Sequence, residues 1–266
     1  MMRTFILAIL LTGLLAAPAH AATYFDDEME IGTTLFHSAT SFGNGTFTYD
    51  TTIKFSGGGS IRLNYPAACE PDTFGGTGCG GAKTVPFPPT DEVYKRVYFR
   101  MSGVGANATT SGLFETSIGT FTKMLRTLST GLQQQWWEMG CCRSKNWLVA
   151  LENSPPGTAG NRFSNFTFAD NRWYCIETRE KMNTPGQPDG IVQSWVDGVL
   201  VLNITRNFRA SGETTQWSTT GIFRQTGRGS IWFDRMAVGN TRIGCIGSNP
   251  SGDTTPPATP GGWTVQ

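Results

Sequence analysis

The chain has 266 residues, a formal net charge of +1, 15% charged residues, 33 glycines and six cysteines. Plentiful Gly, Thr, Ser and Asn without long helical periodicities exclude a helical architecture and predict short strands joined by turns. Two histidines, cysteines without paired C-x-x-C spacing and no recognised nucleic-acid motif argue against a zinc site and against a nucleic-acid partner.

In chain order, Met1-Met2-Arg3 gives a short positive start, residues 5–17 are apolar, and Pro18-Ala19-His20-Ala21 is a small-x-small cleavage signature. This predicts a signal peptide over residues 1–21 and a secreted or periplasmic protein. The apolar run is about a dozen residues, short of the ~18–20 needed to cross a bilayer, and no later stretch qualifies, so no membrane partner is expected. Residues 22–247 then suit one all-β domain. Asp26 to Glu30 is acidic and leads into the first strand. A structural calcium near Asp26-Asp27 is the one metal entertained, without a recognisable loop motif; no other cofactor is expected.

Short strands are predicted over 46–49, 53–55 and 60–65, the last two separated by Gly57-Gly58-Gly59. Residues 66–91 read as a long Pro/Gly-rich loop closed by Pro86, Pro88 and Pro89. Residues 93–101 alternate, with Val97, Phe99 and Met101 on one face and Arg96, Tyr98 and Arg100 on the other. Further strands are predicted at 112–118, 121–128, 132–139, 146–152, 163–168 and 173–181. A turn-rich connector, Asn183 to Gly190, precedes a hairpin of 191–196 with 199–204 across Asp197-Gly198, a dipeptide suited to two positive φ angles. Strands at 221–225 and 230–238 close the domain, and 248–266 is a Pro/Thr/Gly linker. Many short strands with turn signals predict an all-β, two-sheet antiparallel β-sandwich of jelly-roll type.

Six cysteines in an exported chain predict disulfides. Cys69 and Cys79 flank a Gly-rich loop and form the easiest pair; adjacent Cys141 and Cys142 each reach elsewhere, with Cys175 and Cys245 as candidates. Charge is uneven: residues 1–92 hold four Lys/Arg against nine Asp/Glu, whereas 93–245 hold seventeen against ten, a surplus of seven. A basic exported body favours an anionic partner such as an acidic polysaccharide, and a monomer is expected.

Several segments carry a family resemblance. They are the basic strand Tyr94 to Met101, Thr122-Lys123-Met124-Leu125-Arg126, and Trp173-Tyr174. With them go Asn183-Thr184-Pro185-Gly186-Gln187-Pro188-Asp189-Gly190, Trp195-Val196-Asp197-Gly198 and Ser230-Ile231-Trp232-Phe233-Asp234. Over residues 93–245 this order resembles the concanavalin-A-like jelly rolls of polysaccharide lyases of the alginate and glucuronan lyase kind. The connector with its hairpin is the most specific part and speaks mostly to fold. Those lyases usually carry Lys-Leu-Pro-Gly-Leu; Lys123 matches, but Met124 to Leu128 lacks the Pro-Gly. The resemblance implies a jelly roll and β-elimination on a uronate polymer.

Elimination requires a neutralised carboxylate, a base and a proton donor for the leaving oxygen. Lys123 is the candidate base or electrostatic partner, Tyr98 the candidate proton donor or acceptor, and Arg100 the candidate carboxylate neutraliser. Arg96, Arg126, Gln193, Trp195, Arg224 and Trp137 are candidate substrate contacts. Arg224 and Gln225 are neighbours in one strand, so only one of them faces the cleft. Trp136 and Trp137 likewise point to opposite faces if they lie in a strand. His37 is the one histidine after the signal segment. A hydrolase would need two facing carboxylates, for which Glu115, Glu138, Glu152 and Glu177 are candidates. A non-catalytic carbohydrate-binding module would need only aromatic platforms, for which Trp136, Trp137, Trp147, Trp195, Trp217 and Trp232 are candidates.

Overall fold

The computed structural model describes residues 21–36, 40–42, 46–65, 80–102, 122–131, 133–139, 146–152, 160–225 and 229–246. Every regular element among them is a strand. The first eight are β1 (Thr23–Asp27), β2 (Thr40–Phe42), β3 (Thr46–Asp50), β4 (Ser60–Tyr65), β5 (Gly80–Thr90), β6 (Glu92–Ser102), β7 (Thr122–Ser129) and β8 (Gln134–Met139). Then come β9 (Asn146–Glu152), β10 (Gly160–Thr167), β11 (Trp173–Lys181), β12 (Gly190–Val196), β13 (Val199–Arg206), β14 (Trp217–Gln225) and β15 (Gly229–Gly239).

They form two antiparallel sheets. Sheet A runs β13-β12-β11-β6-β15-β4-β3, with β1 also paired to β15; sheet B runs β10-β9-β8-β7-β14-β5-β2. The inward faces of both supply one core, in which Val97, Phe99, Ile176 and Phe233 of sheet A belong to the same cluster as Leu125, Trp137, Val149 and Ile222 of sheet B. Hydrogen bonds cross it, among them Trp137 Nε1 donating to Glu180 Oε1 (2.6 Å) and Trp147 Nε1 donating to Ser194 Oγ (2.8 Å). The expected two-sheet sandwich is thus present.

The period-two alternation of 93–101 holds, with Val97, Phe99 and Met101 in the core. The Asp197-Gly198 turn has φ of 51° and 83°, the pair of left-handed angles that a two-residue hairpin requires. The connector is held from inside by Asn183, which is fully buried. Its Oδ1 accepts from the backbone N–H of Phe208 and Arg209, and its Nδ2 donates to the carbonyls of Thr184 and Arg209. Gly190 fits against the neighbouring strand because a Cβ there would lie 2.4 Å from the Arg206 carbonyl.

Three expectations change. Residues 53–55 form bends, since the Asp50 carboxylate accepts from the N–H groups of Thr52 and Ile53 and turns the chain out of β3. The loop expected over 66–91 ends as strand β5. Its prolines are tolerated because β2 covers β5 only over 80–82, leaving the Pro86–Pro89 half as an edge that needs no second row of donors. The disulfide among the described residues joins Cys175 to Cys245, so these two are not the partners of Cys141 and Cys142. Cys69, Cys79, Cys141, Cys142 and the strand expected at 112–118 lie outside the described residues, as do residues 1–20 and 247–266.

The bridge ties residues 240–246 across the outward face of sheet A. The fully buried Glu177 accepts from the N–H groups of Ile243 and Gly244 and from Arg242, and Ile246 N–H donates to the Tyr98 hydroxyl. Cross-linking residues 70 positions apart restricts the unfolded chain. Replacing both cysteines by Ser is expected to lower stability by about 2–4 kcal/mol, read as a drop in urea midpoint at constant slope. An unchanged midpoint would show that the polar contacts hold the segment unaided.

Candidate functional site

Apart from Trp137, the described side chains singled out as catalytic or substrate-contacting divide between the two outward faces, with the sandwich between them. On sheet A, Arg96, Tyr98 and Arg100 share the outward face of β6, and each is occupied. Arg96 is 4% exposed and pairs with Asp26 at 3.2 Å. Tyr98, 3% exposed, is stacked under Phe55 at 3.7 Å between ring centroids. Burial raises the Tyr98 pKa above its ordinary value. Arg100 donates to Asn171 and lies over the Trp232 ring. Gln193 sits in a polar ladder between Arg179 and Asn203. Trp195, 4% exposed, is covered by Arg242 at 4.7 Å. The expected trio of Lys123, Tyr98 and Arg100 is therefore not brought together: Lys123 is on sheet B, and the alternation that turns Tyr98 and Arg100 outward turns them away from it. Asp27 near the expected calcium accepts from Met29 N–H, Leu35 N–H and the Thr34 hydroxyl, so its oxygens hold a turn. No group of three or more potential metal ligands occurs among the described residues.

On sheet B, β7 carries Lys123 and Arg126 outward and β8 carries Trp136 outward, while its neighbour Trp137 is fully buried in the core. Trp137 is thus a core residue and not a substrate contact. Trp136 packs instead with Leu148, Ala150 and Phe223 in a second apolar cluster, with Phe223 at 4.8 Å. Both cations lie over its indole: Lys123 Nζ at 4.2 Å and Arg126 Cζ at 4.6 Å from the ring centroid. Glu152 completes the group. One of its oxygens accepts from Lys123 Nζ at 2.8 Å and the other from Trp136 Nε1 at 2.7 Å. Burial pulls the Arg126 pKa below its ordinary value, opposed by the Glu152 carboxylate. The register pairs Lys123 with Glu138 and with Gln225, so both neighbouring strands bring a polar residue beside it in backbone position. Arg224 lies on β14 one residue before Gln225, but its side chain is outside the described residues, as are those of Gln225 and Glu138.

Sequence reasoning found Lys123 and Arg126 but missed how they are held. Glu152 is 29 positions from Lys123 and two strands away, and no local pattern signals that pairing. The Trp136-Trp137 pair could be sorted only once one face was known to be core. Glu152 and Glu177 lie on outward faces of different sheets, so they cannot form a hydrolase pair; Glu115 and His37 are outside the described residues. All six tyrosines, at 24, 49, 65, 94, 98 and 174, belong to strands of sheet A, so sheet B offers no tyrosine as proton donor.

One acid on the sheet A side has a shifted titration. Asp234 accepts from Phe55 and Ser56 N–H through Oδ2. Burial raises its pKa to about 6, against those hydrogen bonds, and Glu30 adds repulsion. A carboxyl whose folded pKa lies above its unfolded value favours the protonated fold, so its contribution is lost as pH rises from about 4 through 6. Asp234→Asn keeps an acceptor and removes the titration. The variant-minus-parent difference in Tm is expected to become more positive between pH 5 and pH 8, whereas a constant difference would refute the shift.

No family model matches the chain, and no curated protein matches it in sequence. Solved structures do align. Endo-β-1,4-glucuronan lyase from the fungus Trichoderma reesei has a TM-score of 0.59 at 13% identity, covering 83% of this chain and 96% of its own. The marine alginate lyase from Aplysia kurodai has 0.54 at 12%, covering 82% and 99%. A carbohydrate esterase of the Shiga toxin-encoding bacteriophage phi24B has 0.53 at 12%, covering 84% and 100%. These likenesses show the fold, and lyase and esterase chemistries both occur on it.

Proposed function

We propose that this chain is an exported, monomeric, polysaccharide lyase-like protein that engages an acidic, uronate-containing polymer on the outward face of sheet B and cleaves it by β-elimination. The observation that carries this reading is the convergence of Lys123 and Arg126 over Trp136 on one face. Arg126 suits a sugar carboxylate, because a guanidinium offers paired donors to its two oxygens. Neutralising that carboxylate acidifies the proton on the neighbouring carbon. Lys123, once drawn from Glu152, takes the proton as the free amine, and the resulting ammonium returns one to the leaving oxygen. The surplus of basic residues over 93–245, the signal-like first 21 residues, the disulfide and the fold shared with two uronate-polymer lyases support the same reading.

The test is incubation of the purified protein with alginate, glucuronan and glycosaminoglycans while following the ultraviolet absorbance of unsaturated uronates. No rise on any polyuronate would end the elimination reading. A second reading, binding without cleavage, is favoured by the Lys123–Glu152 pair, which engages the amine with a carboxylate of this chain, and by the location of every tyrosine on sheet A. It predicts retardation in affinity electrophoresis without new absorbance.

A further inference from the structure

The core contains a polar island that the proposed chemistry does not use. Lys95 and Thr178 face each other across β6 and β11, and Thr127 and Gln135 across β7 and β8. Glu180 follows two residues after Thr178, on the same side of β11. All five side chains lie between the sheets and are at most 1% exposed. Lys95 Nζ donates to the Thr127 hydroxyl and pairs with Glu180 Oε1 at 2.7 Å, and the same carboxylate oxygen accepts from Trp137 Nε1. Four atoms around this pair have no protein partner: Gln135 Oε1, Gln135 Nε2, Thr178 Oγ1 and Glu180 Oε2.

Buried polar atoms are rarely left unpaired, and such groups in native interiors are bridged by enclosed water making about three hydrogen bonds. The unpaired set is of mixed character. Glu180 Oε2 and Gln135 Oε1 accept, Gln135 Nε2 donates, and the Thr178 hydroxyl does either. Water meets such a set without adding charge, and near-complete burial leaves no opening for a sugar or an organic anion. The Lys95–Glu180 pair already balances its own charge, which argues against an inorganic ion. We propose that the sandwich interior binds water between β6, β11, β7 and β8, with at least one molecule bridging Gln135, Thr178 and Glu180 and keeping the Lys95–Glu180 pair solvated inside the core.

The decisive experiment is a crystal structure of the full chain at a resolution that shows ordered solvent. Density within hydrogen-bond distance of at least two of Gln135, Thr178 and Glu180 is expected. A dry interior, or rotamers in which the four atoms pair directly with one another, overturns the proposal. Stability gives an independent readout, because removing a water-bridged group loses bonds whereas removing an orphaned group relieves a penalty. Gln135→Met and Thr178→Val are each expected to lower Tm by about 2–4 °C. A rise in Tm for either variant would show that its polar atom is an orphan and would refute the water at that group.

Discussion

Lys123→Met is expected to slow formation of unsaturated product from a polyuronate by about 10²–10⁴-fold, the range that one general acid–base group supplies. Arg126→Gln is expected to weaken polymer binding by about 10–100-fold, the equivalent of one charge-assisted hydrogen bond. Neither change should unfold the protein. Glu152, left without Lys123, keeps the Trp136 N–H and has a side chain 43% exposed, so its desolvation is incomplete. An ion pair this exposed is worth about 0–1 kcal/mol. The counter-test lies on the other face: Arg100→Gln, beside Asn171 and Trp232, should change binding by less than about threefold, since it removes no contact from the sheet B face. Initial rates and binding isotherms for the three variants, with Tm as control, separate the two faces. Loss of activity in the Arg100 variant with none in the other two would place the site on sheet A and rule out a sheet B site.

The second large effect concerns the core. Lys95→Met is expected to destabilise the fold by about 3–5 kcal/mol, because it leaves the Glu180 carboxylate buried without its cation. Burial lowers the Lys95 pKa, and Glu180 opposes that shift, so the pair survives in the interior only as a pair. The double variant Lys95→Met, Glu180→Leu should recover most of the loss, since well-packed apolar groups replace a buried ion pair at little net expense. Part of the recovery is forfeited where Trp137 Nε1 loses its acceptor. Urea midpoints for the single and double variants give the coupling between the two residues. A loss below about 1 kcal/mol for Lys95→Met alone would mean that the pair contributes little.

Lys95 also shows the limit of reading alternation. The pattern of 93–101 marked Val97, Phe99 and Met101 as core and Arg96, Tyr98 and Arg100 as polar, and both assignments of side hold. By the same period Lys95 belongs with the core residues, and it is there, made tolerable by a carboxylate on β11 and a hydroxyl on β7. The polar side of β6 carries three of the candidate site residues. It is a face covered by residues 51–58 and 240–246, which reach it through Phe55 and through the bridge from Cys175 to Cys245.

The sequence by itself determined the sandwich, the Asp197-Gly198 hairpin and the inward and outward sides of its clearest strand, because these depend on periods of two and on φ angles set within a few residues. It also singled out Lys123, through the resemblance of its segment to the lyase motif, and Arg126 beside it. A spacing of three puts the two on opposite faces by strict alternation, and the register shift between Lys123 and Leu125 is what brings both outward. Only the tertiary structure decided which polar faces are open to a partner. Whether Tyr98 faces a ligand or a strap, whether Trp136 or Trp137 lies outside, and whether Lys123 meets Glu152 depend on strand order and sheet packing. Those are set by contacts between residues tens of positions apart, whose pairing leaves no periodic trace in a single chain.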